Sequence, residues 1–124
     1  MKVIHTENAP VAIGTYSQGI GHHHFVFTSG QIPLDPKTGE MISDDFPAEV
    51  NQVLQNVEAV LIAGGSSLKK VVKFTVYLTD LSQFSELNKV FELYFSKNPP
   101  ARSAVEVSAL PKNARIEIEA IGAV

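Results

Sequence analysis

The sequence predicts an α+β fold, a mixed β-sheet of about six strands with two helices packed on one face, in the order β-β-β-α-β-α-β-β. Three observations predict it. Val50, Val53, Leu54, Val57, Val60 and Leu61 recur at three- and four-residue spacing and form one apolar stripe, as a buried helix face requires. Val72, Phe74, Val76 and Leu78 alternate with Lys73, Thr75, Tyr77 and Thr79, the period of a half-buried strand. Near the C-terminus Ile116 and Ile118 alternate in the same way with Glu117 and Glu119. With 124 residues, 44% of them hydrophobic, the chain can bury one core, and a single domain over 1–124 is expected.

Val3 and Ile4 open the first strand. Ser17 to Ile20 and Phe25 to Ser29 read as a hairpin, with Gly21 and His22 to His24 between them. Gly30 to Asp45 carries Pro33, Pro36 and Gly39 and is expected to be a loop leading into the first helix. Asp44 or Asp45 can cap that helix, with Pro47 near its first turn, where the missing N–H costs little. Gly64-Gly65 ends it, because glycine takes the left-handed conformation without a Cβ clash. A second helix is expected from near Ser82, with Phe84, Leu87, Phe91, Leu93, Tyr94 and Phe95 as its apolar positions, until Pro99-Pro100 prevents continuation. Ser103 to Ala109 and Arg115 to Ala123 are the last strands, joined by a turn at Leu110-Pro111-Lys112-Asn113.

Strand-helix-strand crossovers favour parallel pairs, and right-handed crossovers running in one direction put both helices on the same face. The opposite face is then expected to carry charges of both signs, from Glu117 and Glu119 and from the strand on which Arg102, Ala104 and Glu106 share a side. Such a face is either wet or closed by another subunit, and symmetric assembly with sites between subunits is one solution.

Composition excludes several classes of chemistry. A formal charge of −3 offers no concentrated basic surface for nucleic acid. The absence of Cys removes disulfides, thiolate nucleophiles and Cys-ligated metals. The N-terminus lacks a signal-peptide apolar core, and no apolar run approaches a membrane span, so a soluble cytoplasmic protein is expected.

Arg102 follows Pro99-Pro100-Ala101, where a rigid turn enters a strand, and its guanidinium fork matches a planar carboxylate. Taken singly, it reads more readily as a structural salt bridge or a solvated strand end; its company with the residues below is what raises it. Glu117, on a partly enclosed face, can have its pKa raised toward neutrality and transfer protons; the plain alternative is the wet side of an edge strand. Tyr16, in Gly14-Thr15-Tyr16-Ser17-Gln18, and Ser29-Gly30-Gln31 at a strand end are further candidates, the glycine serving close backbone approach or an ordinary turn. Adjacent histidines on a strand point alternately, so His22 and His24 alone make a weak metal site, and none is expected. There is no phosphate loop or nucleophile elbow.

Across nearly its whole length the chain resembles the reactive-intermediate deaminase (Rid, or YjgF) family. The resemblance is carried by Asn8-Ala9-Pro10, Ile13-Gly14-Thr15-Tyr16-Ser17-Gln18, Ser29-Gly30-Gln31-Ile32-Pro33, Asn56-Val57, Asp80-Leu81 with Phe84 and Asn88, Pro100-Ala101-Arg102-Ser103, Leu110-Pro111-Lys112 and Ile116-Glu117-Ile118-Glu119-Ala120. It implies a chorismate-mutase-like fold assembled as a homotrimer with clefts between subunits. It also implies hydrolysis of 2-imino acids, of the 2-aminoacrylate and 2-iminobutanoate class, to 2-keto acids and ammonia without metal or organic cofactor. Carried over by residue, Arg102 grips the substrate carboxylate and Glu117 holds and activates water. Tyr16, Ser29, Gly30 and Asn88 line the cleft.

Thr15 stands where the family commonly has Pro, and Ala104 where many members have Cys; Lys97-Asn98-Pro99 lacks the Phe that some relatives place before the proline. A second reading of the same residues is a trimeric module that holds a small carboxylate without turnover. Nucleic-acid cleavage, also associated with relatives, ranks third because of the charge.

Overall fold

The apolar patterns assemble two layers. The computed structural model describes residues 1–42 and 45–124, and in it the strands β1 (Lys2–Ile4), β2 (Gly19–His22), β3 (Phe25–Thr28), β4 (Val71–Leu78), β5 (Ala101–Glu106) and β6 (Ile116–Ala123) form one sheet. The helices α1 (Phe46–Ala63) and α2 (Phe84–Tyr94) occupy the predicted places in the element order.

Across the sheet the order is β1-β2-β3-β6-β4-β5. Among the described residues only β4 and β5, joined through α2, pair in parallel. The first crossover, from β3 through α1 to β4, leaves a gap that β6 fills antiparallel to both neighbours, so it does not yield the directly bonded parallel pair expected. In the hairpin, Ile20 pairs with Phe27 and His22 with Phe25, and His23 (φ 53°) leads the turn. Pairing starts at Gly19 rather than Ser17, because Ser17 and Gln18 face the loop described below.

All six stripe residues of α1 are completely buried, against Phe74, Val76, Leu78, Ile116 and Ile118 of the central strands. Each contributes on the order of 1.5–3 kcal/mol by leaving water. Asp45 caps α1, its carboxylate accepting from Ala48 N at 2.8 Å, and Gly65 (φ 89°) takes the left-handed turn after it; Asp44 lies outside the described residues. Glu49 is buried on the same helix and is paired by Arg115, which also lies over the Phe46 ring.

α2 buries Leu87, Val90 and Phe91, leaves Leu93 exposed, and stops at Tyr94, five residues short of the prolines expected to end it. Phe95 leaves the helical conformation (φ −133°, ψ 58°) and turns its ring into an aromatic cluster, 5.4 Å from Phe74 and 5.6 Å from Phe91 between centroids. Core packing ends this helix before proline does. No helix among the described residues is long and apolar enough to cross a membrane.

The face away from the helices carries Lys73, Thr75 and Tyr77 of β4, Glu117, Glu119 and Ile121 of β6, and Phe25 and Phe27 of β3. Tyr77 donates its hydroxyl to Glu119 Oε1 at 3.0 Å. Arg102 is not on this face. The parallel register sets it beside Phe74 and Ala104 beside Val76, both buried under the helices, so Arg102 points to the helix side. Alternation within β5 defines two faces; register against β4 decides which one is covered.

Candidate active site

One cleft, of about 300 Å³, opens where the N-terminal loop, the end of β3 and the start of β6 meet. Its first wall is set by Gln18, whose buried carboxamide accepts from Thr6 N (2.8 Å) and donates to the carbonyls of Thr6 (3.0 Å) and Pro10 (2.8 Å). This folds the loop so that Tyr16, half exposed, stands at the cleft mouth, its hydroxyl accepting from Ile13 N at 3.3 Å.

The second wall continues from β3. Ser29 donates its amide to Gln18 O (2.9 Å) and its hydroxyl to Ser17 O (2.6 Å). Gln31 and Ile118 exchange backbone hydrogen bonds of 2.9 and 3.0 Å, which fixes the strip 29–31 against β6. Gly30 therefore lies directly against the neighbouring side chain, Glu117. A Cβ at Gly30 would sit 2.3 Å from Glu117 Oε2, and the φ of Gly30 is not in the left-handed region. The glycine makes room for a carboxylate rather than for a turn.

Glu117 is half-buried, and its carboxyl is held above the ordinary carboxylate range, first by burial and then by the charge of Glu119 two residues on. Among the described residues no hydrogen bond or ion pair reaches its oxygens. A carboxylate with a raised pKa and open acceptor positions is equipped to take a proton from water and return it.

A second cavity, of about 420 Å³, lies at the other edge of the sheet, between α2 and β5. Arg102 Nη2 donates to Asn88 Oδ1 at 2.7 Å, and its guanidinium stacks 4.9 Å from the Phe91 centroid and 5.3 Å from that of Phe84. Burial lowers its pKa from the usual value, yet a guanidinium stays cationic. The aromatic rings and Asn88 orient the fork while leaving N–H donors for a carboxylate.

The structure thus brings Tyr16, Ser29, Gly30 and Glu117 together in one cleft and Asn88 with Arg102 in another, on opposite faces of the sheet. One chain does not join the two. The histidines His22 to His24 stay at the hairpin, and no group of three or more His, Asp or Glu among the described residues is placed to hold a metal ion.

Sequence reasoning missed two polar residues that support the first cleft. Gln18 stands in the loop motif with nothing in its pattern to give it a task, and Asn56, at the edge of the apolar stripe, is completely buried. A polar residue at the edge of a core stripe was the available signal.

Comparison with known proteins places these features in a family. The family model described as Endoribonuclease L-PSP matches residues 6–124. A RutC family protein of Pyrococcus horikoshii is 54% identical over 120 residues, covering 97% of this chain and 95% of that one. A 2-iminobutanoate/2-iminopropanoate deaminase of Salmonella typhimurium is 49% identical over 123 residues, with the same coverage. The crystal structure of RidA from the Antarctic bacterium Psychrobacter sp. PAMC 21119 superimposes with a TM-score of 0.95 at 47% identity, covering both chains completely. The chain belongs to this family, the YjgF/RidA family.

Proposed function

We propose that the protein hydrolyses reactive 2-imino acids, such as 2-iminobutanoate, of the class formed from 2-aminoacrylate and 2-aminocrotonate, to 2-keto acids and ammonia. The observation that carries this reading is Glu117, a half-buried carboxylate without a partner among the described residues, pressed against Gly30 in a cleft of about 300 Å³. The 49% identity to a protein named as such a deaminase supports it.

The imine carbon is already electrophilic, so positioning a water and a proton acceptor supplies much of the acceleration needed. Glu117 takes a proton as the water oxygen bonds to the imine carbon of the N-protonated substrate. The same carboxyl returns that proton to nitrogen, then takes the remaining hydroxyl proton as the C–N bond breaks and the carbonyl forms, and the departing ammonia carries this proton away as ammonium. Arg102 holds the substrate carboxylate through paired N–H donors, with Asn88 fixing its angle. Tyr16, Ser29 and Gly30 form the wall facing the reacting carbon. No covalent nucleophile takes part.

The two half-sites lie on opposite faces of the sheet, so the complete site needs a second copy, with the partner subunit's Arg102 facing Glu117; a homotrimer closes three such clefts. The protein is proposed to act in the cytoplasm on a small molecule. The family description suggests ribonuclease activity, but the net charge of −3 and a cleft whose ionisable group is a carboxylate both disfavour a polyanion.

The test couples purified protein to a serine or threonine dehydratase and follows decay of the released imino acid. Acceleration over the spontaneous rate is expected. An unchanged rate together with binding of a stable 2-keto acid would establish the carboxylate-holding module instead.

A further inference from the structure

We infer that Asn56 is a positioning residue of the Glu117 cleft, acting from the far layer of the fold through the backbone strip 30–34. Asn56 lies at the edge of the apolar stripe of α1, on the same flank as Glu49, and it is completely inaccessible to solvent. A carboxamide has one acceptor group and two N–H donors, and burial makes any left unpaired costly. Here all are engaged. Nδ2 donates to Leu34 O at 2.9 Å and to Ile32 O at 3.2 Å, and Oδ1 accepts from Gln52 Nε2 at 2.9 Å. Asn56 belongs to the helix layer, yet both of its backbone acceptors belong to the cleft wall, since Ile32 and Leu34 line the same cavity as Gly30 and Glu117.

Ser29 is tied to Gln18 and Gln31 to Ile118. Beyond Gln31 the strip 32–34 contains Pro33, makes a short internal bond from Leu34 N to Ile32 O at 2.7 Å, and bridges to Met41 with Pro33 O accepting from Ile42 N at 3.0 Å. These bonds hold the strip to its own loop, and the Asn56 side chain is what ties it to the helix layer. Without it, carbonyl 34 loses its buried donor and carbonyl 32 keeps only the one from Leu34 N, and the strip moves to find water. Gly30, two residues upstream, packs so closely on Glu117 that a small displacement opens the carboxylate to solvent. The α1 contact therefore sets how tightly Glu117 is covered.

This inference rests on the reading of the cleft as the reaction site, so the experiment includes measurements that do not depend on turnover. Asn56→Leu keeps the size and removes every hydrogen bond. Carboxyl carbon NMR of Glu117 in the intact protein is expected to titrate at lower pH in the variant than in the parent. Amide exchange at Gln31 and Leu34 is expected to quicken relative to the β4–β6 ladder. In the dehydratase-coupled assay kcat is expected to fall about tenfold to a hundredfold, as misplacement by a fraction of an ångström to 1 Å does elsewhere.

A folded Asn56→Leu protein with parental Glu117 titration and parental amide exchange would overturn the inference, whatever its activity. If Asn56→Leu does not fold, Asn56→Ser takes its place, since a serine hydroxyl stops short of both carbonyls and leaves space for water. The same two spectroscopic results then decide. Should the parent itself lack deaminase activity while the titration and exchange shift as expected, the positional role stands and the proposed reaction falls.

Discussion

Replacing Gly30 by alanine separates the chemistry of the cleft from the stability of the fold. The added methyl carbon lies 2.3 Å from Glu117 Oε2, 2.7 Å from its Cδ and 3.0 Å from its Cγ. Carbon and oxygen in ordinary contact stay roughly 3.3 Å apart, so the carboxylate has to withdraw by about 1 Å. Gly30 cannot give way instead, because Ser29 and Gln31 on either side are bonded to Gln18 and Ile118. Alanine brings no left-handed strain at this position, and restricting the unfolded chain stabilises by about 0.4–1 kcal/mol, offset by the contact. A reacting group displaced by about 1 Å costs about a hundredfold in rate, or about 2.7 kcal/mol of barrier. The expected outcome is a kcat near one hundredth of the parent in the dehydratase-coupled assay, with a thermal midpoint close to the parent's. Parental kcat at parental stability would refute the account of Gly30. A loss of both together would show that the wall, not the carboxylate, yields.

Arg102→Ala is expected to lose about a hundredfold or more in kcat/KM, given about 1.5–3 kcal/mol per charge-assisted hydrogen bond, with subunit assembly by light scattering unchanged. Arg102→Lys recovers only part, because an ammonium lacks the planar fork. The acid limb of kcat/KM is expected above the ordinary carboxylate range, since activity is lost as Glu117 is protonated through its raised pKa. Glu119→Gln removes one of the two causes and moves that limb to lower pH. The same shift affects stability: the folded chain holds the Glu117 proton more tightly than the unfolded chain, an advantage complete below the ordinary carboxylate value and lost as pH rises through the raised one. Glu117→Gln is therefore expected to unfold at a higher temperature than the parent at neutral pH and at the same temperature in acid. Asp45→Ala removes the cap on α1 and is expected to cost about 1 kcal/mol in denaturant unfolding without changing kcat.

The parts of the fold legible in the sequence were those fixed by local periodicity. The α1 stripe and the alternations at residues 72–78 and 116–119 each give a face directly, and every apolar member they named on α1 is fully buried. What was not legible depended on partners distant in the chain. Arg102, Ala104 and Glu106 form a polar-looking row that alternation alone puts on the open face. The register with Phe74, Val76 and Leu78 places the row on the helix side, where the guanidinium lies over Phe84 and Phe91 while Glu106 stays exposed. The same holds for the end of α2, which is set by the fit of Phe95 among Phe74 and Phe91 rather than by Pro99. Of the candidate site, the residue types were readable and their division between two cavities was not, because that division follows from strand order.

The place of β6 in the sheet bears on how the chain is made. Of the six strands, β6 (Ile116–Ala123) comes latest in the chain yet is inserted between β3 and β4, so the middle of the sheet is completed only after every other strand has been made. Until β6 is made, no hydrogen bond among the described residues joins β1 to β3 with the β4-α2-β5 unit, and each exposes an unpaired inner strand edge. Because Glu117 rides on the same strand, a nascent or C-terminally clipped chain lacks both a closed sheet and the cleft carboxylate.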